Sequence, residues 1–178
     1  EKGDRVIDIG ANVGHYTLKL SDLVGEQGRV IAFEPVPETF EMLSSNLGHA
    51  EKNNVTLING AVFKDVTEAK FTVPGENLYR SHMDAAGDLA IMTFRLRSFL
   101  PDTWVLTFVK IDAEGCDEDI IRSEIDVFNY FRPIIMSELS QDVADSLARG
   151  MENYTVFGLK GSHNRFIVPL EKKEIFMS

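Results

Sequence analysis

Asp112 and Glu114 stand two positions apart in an Asp-Ala-Glu-Gly run, directly after the apolar stretch 108–111. Carboxylates at the carboxyl end of a parallel strand lie on the ligand edge of a sheet. Either one is therefore placed to take the proton of a hydroxyl-bearing substrate, an assistance worth about 10²–10⁴-fold in rate. Asp117, Glu118 and Asp119 follow at the start of a helical segment, where acidic side chains complement the positive end of the helix dipole. Glu114 fits either description, and Asp112 fits the chemical one better.

A second constellation lies near the amino terminus. Residues 8–14 read Asp-Ile-Gly-Ala-Asn-Val-Gly after an apolar run and before a helical pattern. Such a strand-to-helix turn offers free N–H groups to an anionic ligand group. A dinucleotide site needs G-x-G-x-x-G, but counting from Gly10 the later glycine positions hold Asn12 and His15, which denies a pyrophosphate its close approach. No G-x-x-x-x-G-K-[ST] run occurs either, so P-loop nucleotides are excluded. Glu34 falls 20 positions after Gly14 at the end of a second apolar run, where an acid can accept from both hydroxyls of an unphosphorylated ribose. Pro35 follows with a flat apolar surface, and Asn59, Gly60 and Ala61 end a third run with room for a base. The competing explanation is a tight turn at Gly10 and Gly14 with Glu34 leading a helix. The coincidence of three strand ends favours an adenosine-bearing ligand.

Other residues carry weaker signals. No EF-hand spacing surrounds Asp112, and no metal is expected. His82, among Tyr79, Arg80, Ser81 and Met83, suits an exposed loop better than a lid that supplies a base. His15 borders the glycine loop, and Glu138 ends a strand at the ligand edge as a secondary acceptor contact. Cys116 reads as a small packed residue, and Phe128, Tyr130 and Phe131 read as core.

These residues need a scaffold that brings strand ends together. Apolar runs at 6–9, 30–33, 55–62, 108–111 and 133–138 alternate with helical patterns at 14–23, 37–47, 117–125 and 141–149, which specifies a mostly parallel sheet with helices on both faces. Runs at 154–159 and 165–168 are separated by too few residues for a helical crossover, so they pair antiparallel. Residues 63–96 are polar, with strand-like pieces at 71–73 and 91–96, and read as a hairpin-like insertion. Residues 1–178 are expected to form a single domain, and the start at Glu1, already close to a strand, suggests an upstream segment.

The net charge of −10 repels a phosphate backbone, so nucleic acid is not an expected partner. No apolar run is long enough to span a bilayer. The single cysteine precludes an internal disulfide and leans toward a cytoplasmic setting. Oligomeric state leaves no trace in the sequence.

Residues 6–14 (VIDIGANVG), 32–35 (AFEP) and 109–115 (VKIDAEG) resemble the three signature blocks of FkbM-family methyltransferases, in the same order and strand context. The resemblance implies a Rossmann-like class I methyltransferase fold, with seven mostly parallel strands and an antiparallel last strand. It further implies S-adenosyl-L-methionine as methyl donor and a hydroxyl on a small molecule, such as a sugar or polyketide, as acceptor. Asp8, Gly10, Asn12, Gly14, Glu34, Pro35, Asn59, Gly60, Ala61 and Asp112 are the expected cofactor contacts, and Asp112 and Glu114 the expected catalytic residues. The chain departs from the family where Arg97, not an acid, follows Leu96. An RNA or protein methyltransferase and a non-catalytic adenosyl-binding module are the alternatives.

Overall fold

Strands β1 (Arg5–Ile9), β2 (Arg29–Glu34) and β8 (Leu106–Ile111) are mainly apolar and largely buried, as expected of the centre of a parallel sheet. The computed structural model describes residues 1–72, 82–83 and 86–177. Around these strands run α1 (His15–Val24), α2 (Pro37–His49), β3 (Val55–Asn59), α3 (Asp117–Ser123), α4 (Ile125–Phe131), β9 (Ile134–Ser137), α5 (Gln141–Gly150), β10 (Tyr154–Gly158) and β11 (Arg165–Pro169). The seven-stranded sheet has the order β10-β11-β9-β8-β1-β2-β3. Only β11 runs antiparallel to its neighbours, β9 and β10. Strand order reverses at β1, the position where open α/β sheets collect ligands.

Successive side chains alternate between two helical layers. Ile7, Ile9, Phe33, Val109 and Ile111 pack with Ile120, Ile121, Phe128 and Leu147 of α3 to α5. On the other face Val6 and Val30 meet Leu20 and Val24 of α1, and Ala32 meets Leu43 and Leu47 of α2. Each such aliphatic side chain contributes about 1.5–3 kcal/mol by leaving water.

Two expected elements divide. The run 55–62 is not one strand. At Gly60 the chain leaves β3, and only glycine fits there, because a β-carbon would lie 2.6 Å from the Phe94 ring and 2.8 Å from the Met92 carbonyl oxygen. Ala61–Val62 becomes β4 of a second sheet, ordered β4-β7-β5-β6 with β5 (Glu68–Thr72), β6 (His82–Met83) and β7 (Leu89–Phe94). The hairpin-like reading of 63–96 survives in the antiparallel β5–β7 pair, which a 3₁₀ turn at Leu96–Phe99 follows. Val73 of the expected strand, and Tyr79, Arg80 and Ser81, lie outside the described residues. The helix expected over 117–125 also breaks, at Glu124, and α4, which carries Phe128, Tyr130 and Phe131, follows it. Phe128 and Phe131 are buried there as expected, whereas Tyr130 is 63% exposed.

Candidate functional site

In-register pairing of β1 with β2 and β8 sets Ile9 level with Phe33 and Ile111, so the three strands release their chains at one edge. The Gly10 and Ala11 N–H groups both donate to the Phe33 carbonyl, and the Asp112 N–H donates to that of Ile9. Gly10 has φ +73, and a β-carbon on it would fall 1.9 Å from the Asp112 carbonyl oxygen. The glycine is therefore demanded by the neighbouring strand end, a constraint that would hold without any ligand.

A cleft with about 670 Å³ of empty space, open to solvent, lies on this edge. Of the residues singled out in the sequence, Gly10, Asn12, Glu34, Pro35, Gly60, Ala61, Asp112, Glu114 and Cys116 line it. Asn12 and Glu114 do so with left-handed backbones, φ +53 and +45. Glu34 is buried. Its Oε2 accepts the Asn12 N–H at 2.9 Å and its Oε1 the Val36 N–H at 3.0 Å. Burial pushes its carboxyl above the ordinary glutamate value, with the two backbone donors pulling the other way. Glu34 thus ties the first loop to the second strand's turn and presents an acid to the cleft. Asp112 is 47% exposed, and Glu114 is exposed as well.

Three of the expected ligand contacts, Asp8, Gly14 and Asn59, do not line this cleft. The Asp8 carboxylate is fully buried, accepting from the Thr17 hydroxyl at 2.6 Å and facing the Lys110 ammonium at 3.1 Å. It secures α1 to the sheet from beneath the loop. Gly14 meets α2, where a β-carbon would come within 2.8 Å of Leu43 Cδ1. The Asn59 amide donates to the carbonyls of Glu34 and Pro35 at 2.9 and 3.2 Å, shaping the turn behind the cleft. Asp117 is likewise structural: it accepts from the Ala113 N–H at 2.7 Å and the Ser137 hydroxyl at 2.5 Å, a firmer role than dipole compensation. His15 and Glu138 are exposed and do not line the cleft, and His82 contributes its backbone to the β5–β6 pair.

Sequence reasoning passed over Lys110, Phe71, Val62 and Ile120. The last three line the cleft, and Phe71 reaches it from the second sheet, whose contribution no local motif announces. Lys110 did leave a signal: a lysine inside the apolar strand Leu-Thr-Phe-Val-Lys-Ile requires a buried counter-charge. Among the described residues, no group of three or more His, Cys, Asp or Glu side chains is arranged to hold a metal, and no helix is long and apolar enough to cross a membrane.

Known proteins bear on this geometry. Protein-L-isoaspartate O-methyltransferase of Methanothrix thermoacetophila is 36% identical over 59 residues, covering 33% of this chain and 28% of that protein. The structure of methyltransferase FkbM from Methylobacillus flagellatus KT superposes with a TM-score of 0.68 at 14% identity, over 94% of this chain and 44% of that one. Aeropyrum pernix fibrillarin, solved with natively bound S-adenosyl-L-methionine, gives 0.57 at 14% identity, over 94% and 66%. At such identity these structures show the shared class I methyltransferase fold. The chain spans under a third of the length of the curated relative and under half of the FkbM structure. The methyltransferase FkbM domain profile matches residues 8–156, and the chain accordingly belongs to the FkbM methyltransferase domain family.

Proposed function

We propose that this chain is an S-adenosylmethionine-dependent methyltransferase that methylates a hydroxyl oxygen of a small molecule. One observation carries the reading: the Gly10–Asn12 loop, buried Glu34 and half-exposed Asp112 converge on a single cleft at the point where strand order reverses. The cleft suits the cofactor. Glu34 supplies an acceptor for ribose hydroxyls, and Pro35, Val36, Ala61 and Val62 give apolar surface for a base.

When bound, S-adenosylmethionine supplies a methyl group on a positively charged sulfur that departs as a neutral thioether. The chain's own task is alignment and exclusion of water, which can be worth about 7–11 kcal/mol in a well-oriented reaction. Asp112 or Glu114 takes the acceptor's proton, directly or through water. The lining contributes three carboxylates, Glu34, Asp112 and Glu114, a setting compatible with a cationic donor. Residues 1–178 are read as one domain in which residues 63–96 form an insertion reaching the cleft through Phe71.

The protein-L-isoaspartate likeness makes a protein acceptor one alternative to exclude, and RNA is the other. The net charge of −10 opposes RNA. The test is a methyl-transfer screen with labelled S-adenosylmethionine against hydroxylated sugars and polyketides, isoaspartyl peptides and RNA. Transfer to the first group, lowered about 10²-fold or more in Asp112→Asn or Glu114→Gln, is the expected result. Transfer only to peptide or RNA, or full turnover with unchanged pH dependence in both variants, would overturn the assignment.

A further inference from the structure

Lys110 lies beneath the cleft with its side chain 3% exposed. It is the register partner of Asp8 across β1 and β8, so both side chains project to the α1 side of the sheet. Its ammonium donates to the Gly10 carbonyl at 2.7 Å and stands 3.1 Å from Asp8 Oδ1 and 3.5 Å from Asp112 Oδ2. The Tyr16 ring of α1 covers it, with the centroid 5.3 Å away. Asp8 Oδ1 has no aligned hydrogen bond and depends on the ammonium charge alone.

A buried lysine needs one counter-ion, and Asp8 supplies it. The two remaining contacts exceed that need and reach the two halves of the site, the glycine loop on β1 and the acid on β8. The Gly10–Ala11 peptide is thereby held from both sides, its N–H by the Phe33 carbonyl and its carbonyl by Lys110, which fixes the direction in which the loop faces the cleft. The same ammonium restrains the Asp112 carboxylate, which is otherwise half in solvent. We infer that Lys110 is a positioning residue that locks the glycine loop and Asp112 into one geometry for the ligand. The inference rests on the cofactor reading above.

A purely structural role, as the counter-ion of Asp8, predicts a different outcome from the same variants. Lys110→Met strands the Asp8 charge and lowers the denaturation midpoint under either role. In Asp8→Asn/Lys110→Met the buried charges are removed together and the introduced amide oxygen can still accept from Thr17, so stability returns toward wild type. Isothermal calorimetry with S-adenosylhomocysteine, which requires no acceptor, is the readout. The expected result is that the stability-repaired double variant still binds at least about tenfold more weakly than wild type.

A folded double variant that binds as tightly as wild type would make Lys110 a counter-ion only and overturn the inference. If wild type itself gives no binding, the cofactor reading fails first and this inference with it.

Discussion

Both oxygens of Glu34 accept backbone N–H groups, yet burial still raises its carboxyl above the ordinary value. The residue is held in place more firmly than it is held ionised. Each oxygen keeps capacity for another donor, and a ribose can use it without disturbing the Asn12 and Val36 bonds. Glu34→Gln strains both functions at once. An amide has one accepting oxygen, so its NH₂ must face one of the two backbone donors and leave that donor unpaired, at a cost of about 1–3 kcal/mol. The variant is expected to bind S-adenosylhomocysteine about 10–100-fold more weakly by calorimetry. Unchanged affinity would mean that Glu34 closes the turn and does nothing for the ligand. Asp112 poses the complementary case, being exposed enough to meet an acceptor while its backbone abuts Gly10 from behind.

At the scale of elements, the break between α3 and α4 shows how one buried acid reshapes a helix. Glu124 is fully buried, and its Oε1 accepts from Arg95 Nε at 3.0 Å and from the Leu96 N–H at 3.2 Å. It therefore anchors the end of the inserted sheet to the helical layer. Burial raises its carboxyl above 4.5, opposed by the Leu96 and Arg95 contacts. A carboxyl raised on folding stabilises most below its unfolded value, and that contribution is lost as pH rises through the folded value. Wild type is thus expected to lose stability from this group as pH rises above the ordinary glutamate range. Glu124→Gln should flatten that part of the profile, as measured by urea unfolding at several pH values. Equal pH slopes in the two proteins would refute it.

The same elements show what could be read in advance. The helices following β1 and β2 were legible because apolar residues recur at helical spacing between clear strand runs. The antiparallel β10–β11 pair was legible from the short connection alone. Glu124 was not, because its reason for being buried, Arg95, lies 29 residues earlier in sequence. Gly60 similarly looked like part of one strand, and the residues it packs against, Met92 and Phe94, lie more than 30 positions later. Asp8 and Asn59 sat in the right motifs, but their side chains were taken by Thr17 and Lys110, and by two carbonyls. Motif position indicates which strand end a residue occupies and leaves open which way it faces.

At the scale of the whole molecule, the candidate site is built where the β1, β2 and β8 ends meet, and these strands also form the buried centre of the sheet. A ligand that touches all three strand ends can engage only the folded chain, so its binding energy becomes stability. At a free ligand concentration of about 100 times Kd the gain is about 2.7 kcal/mol. For a chain of 178 residues, each kcal/mol moves Tm by about 2–4 °C. S-adenosylhomocysteine at that concentration is therefore expected to raise Tm by about 5–10 °C in a thermal-shift measurement. NAD at the same concentration should leave Tm unchanged, because Asn12 and His15 occupy the positions where a pyrophosphate needs glycine. An equal rise with NAD would assign the cleft to nucleotides in general. A flat response to S-adenosylhomocysteine would remove the cofactor from this edge of the sheet and oblige Glu34 and the glycine loop to be explained by packing alone.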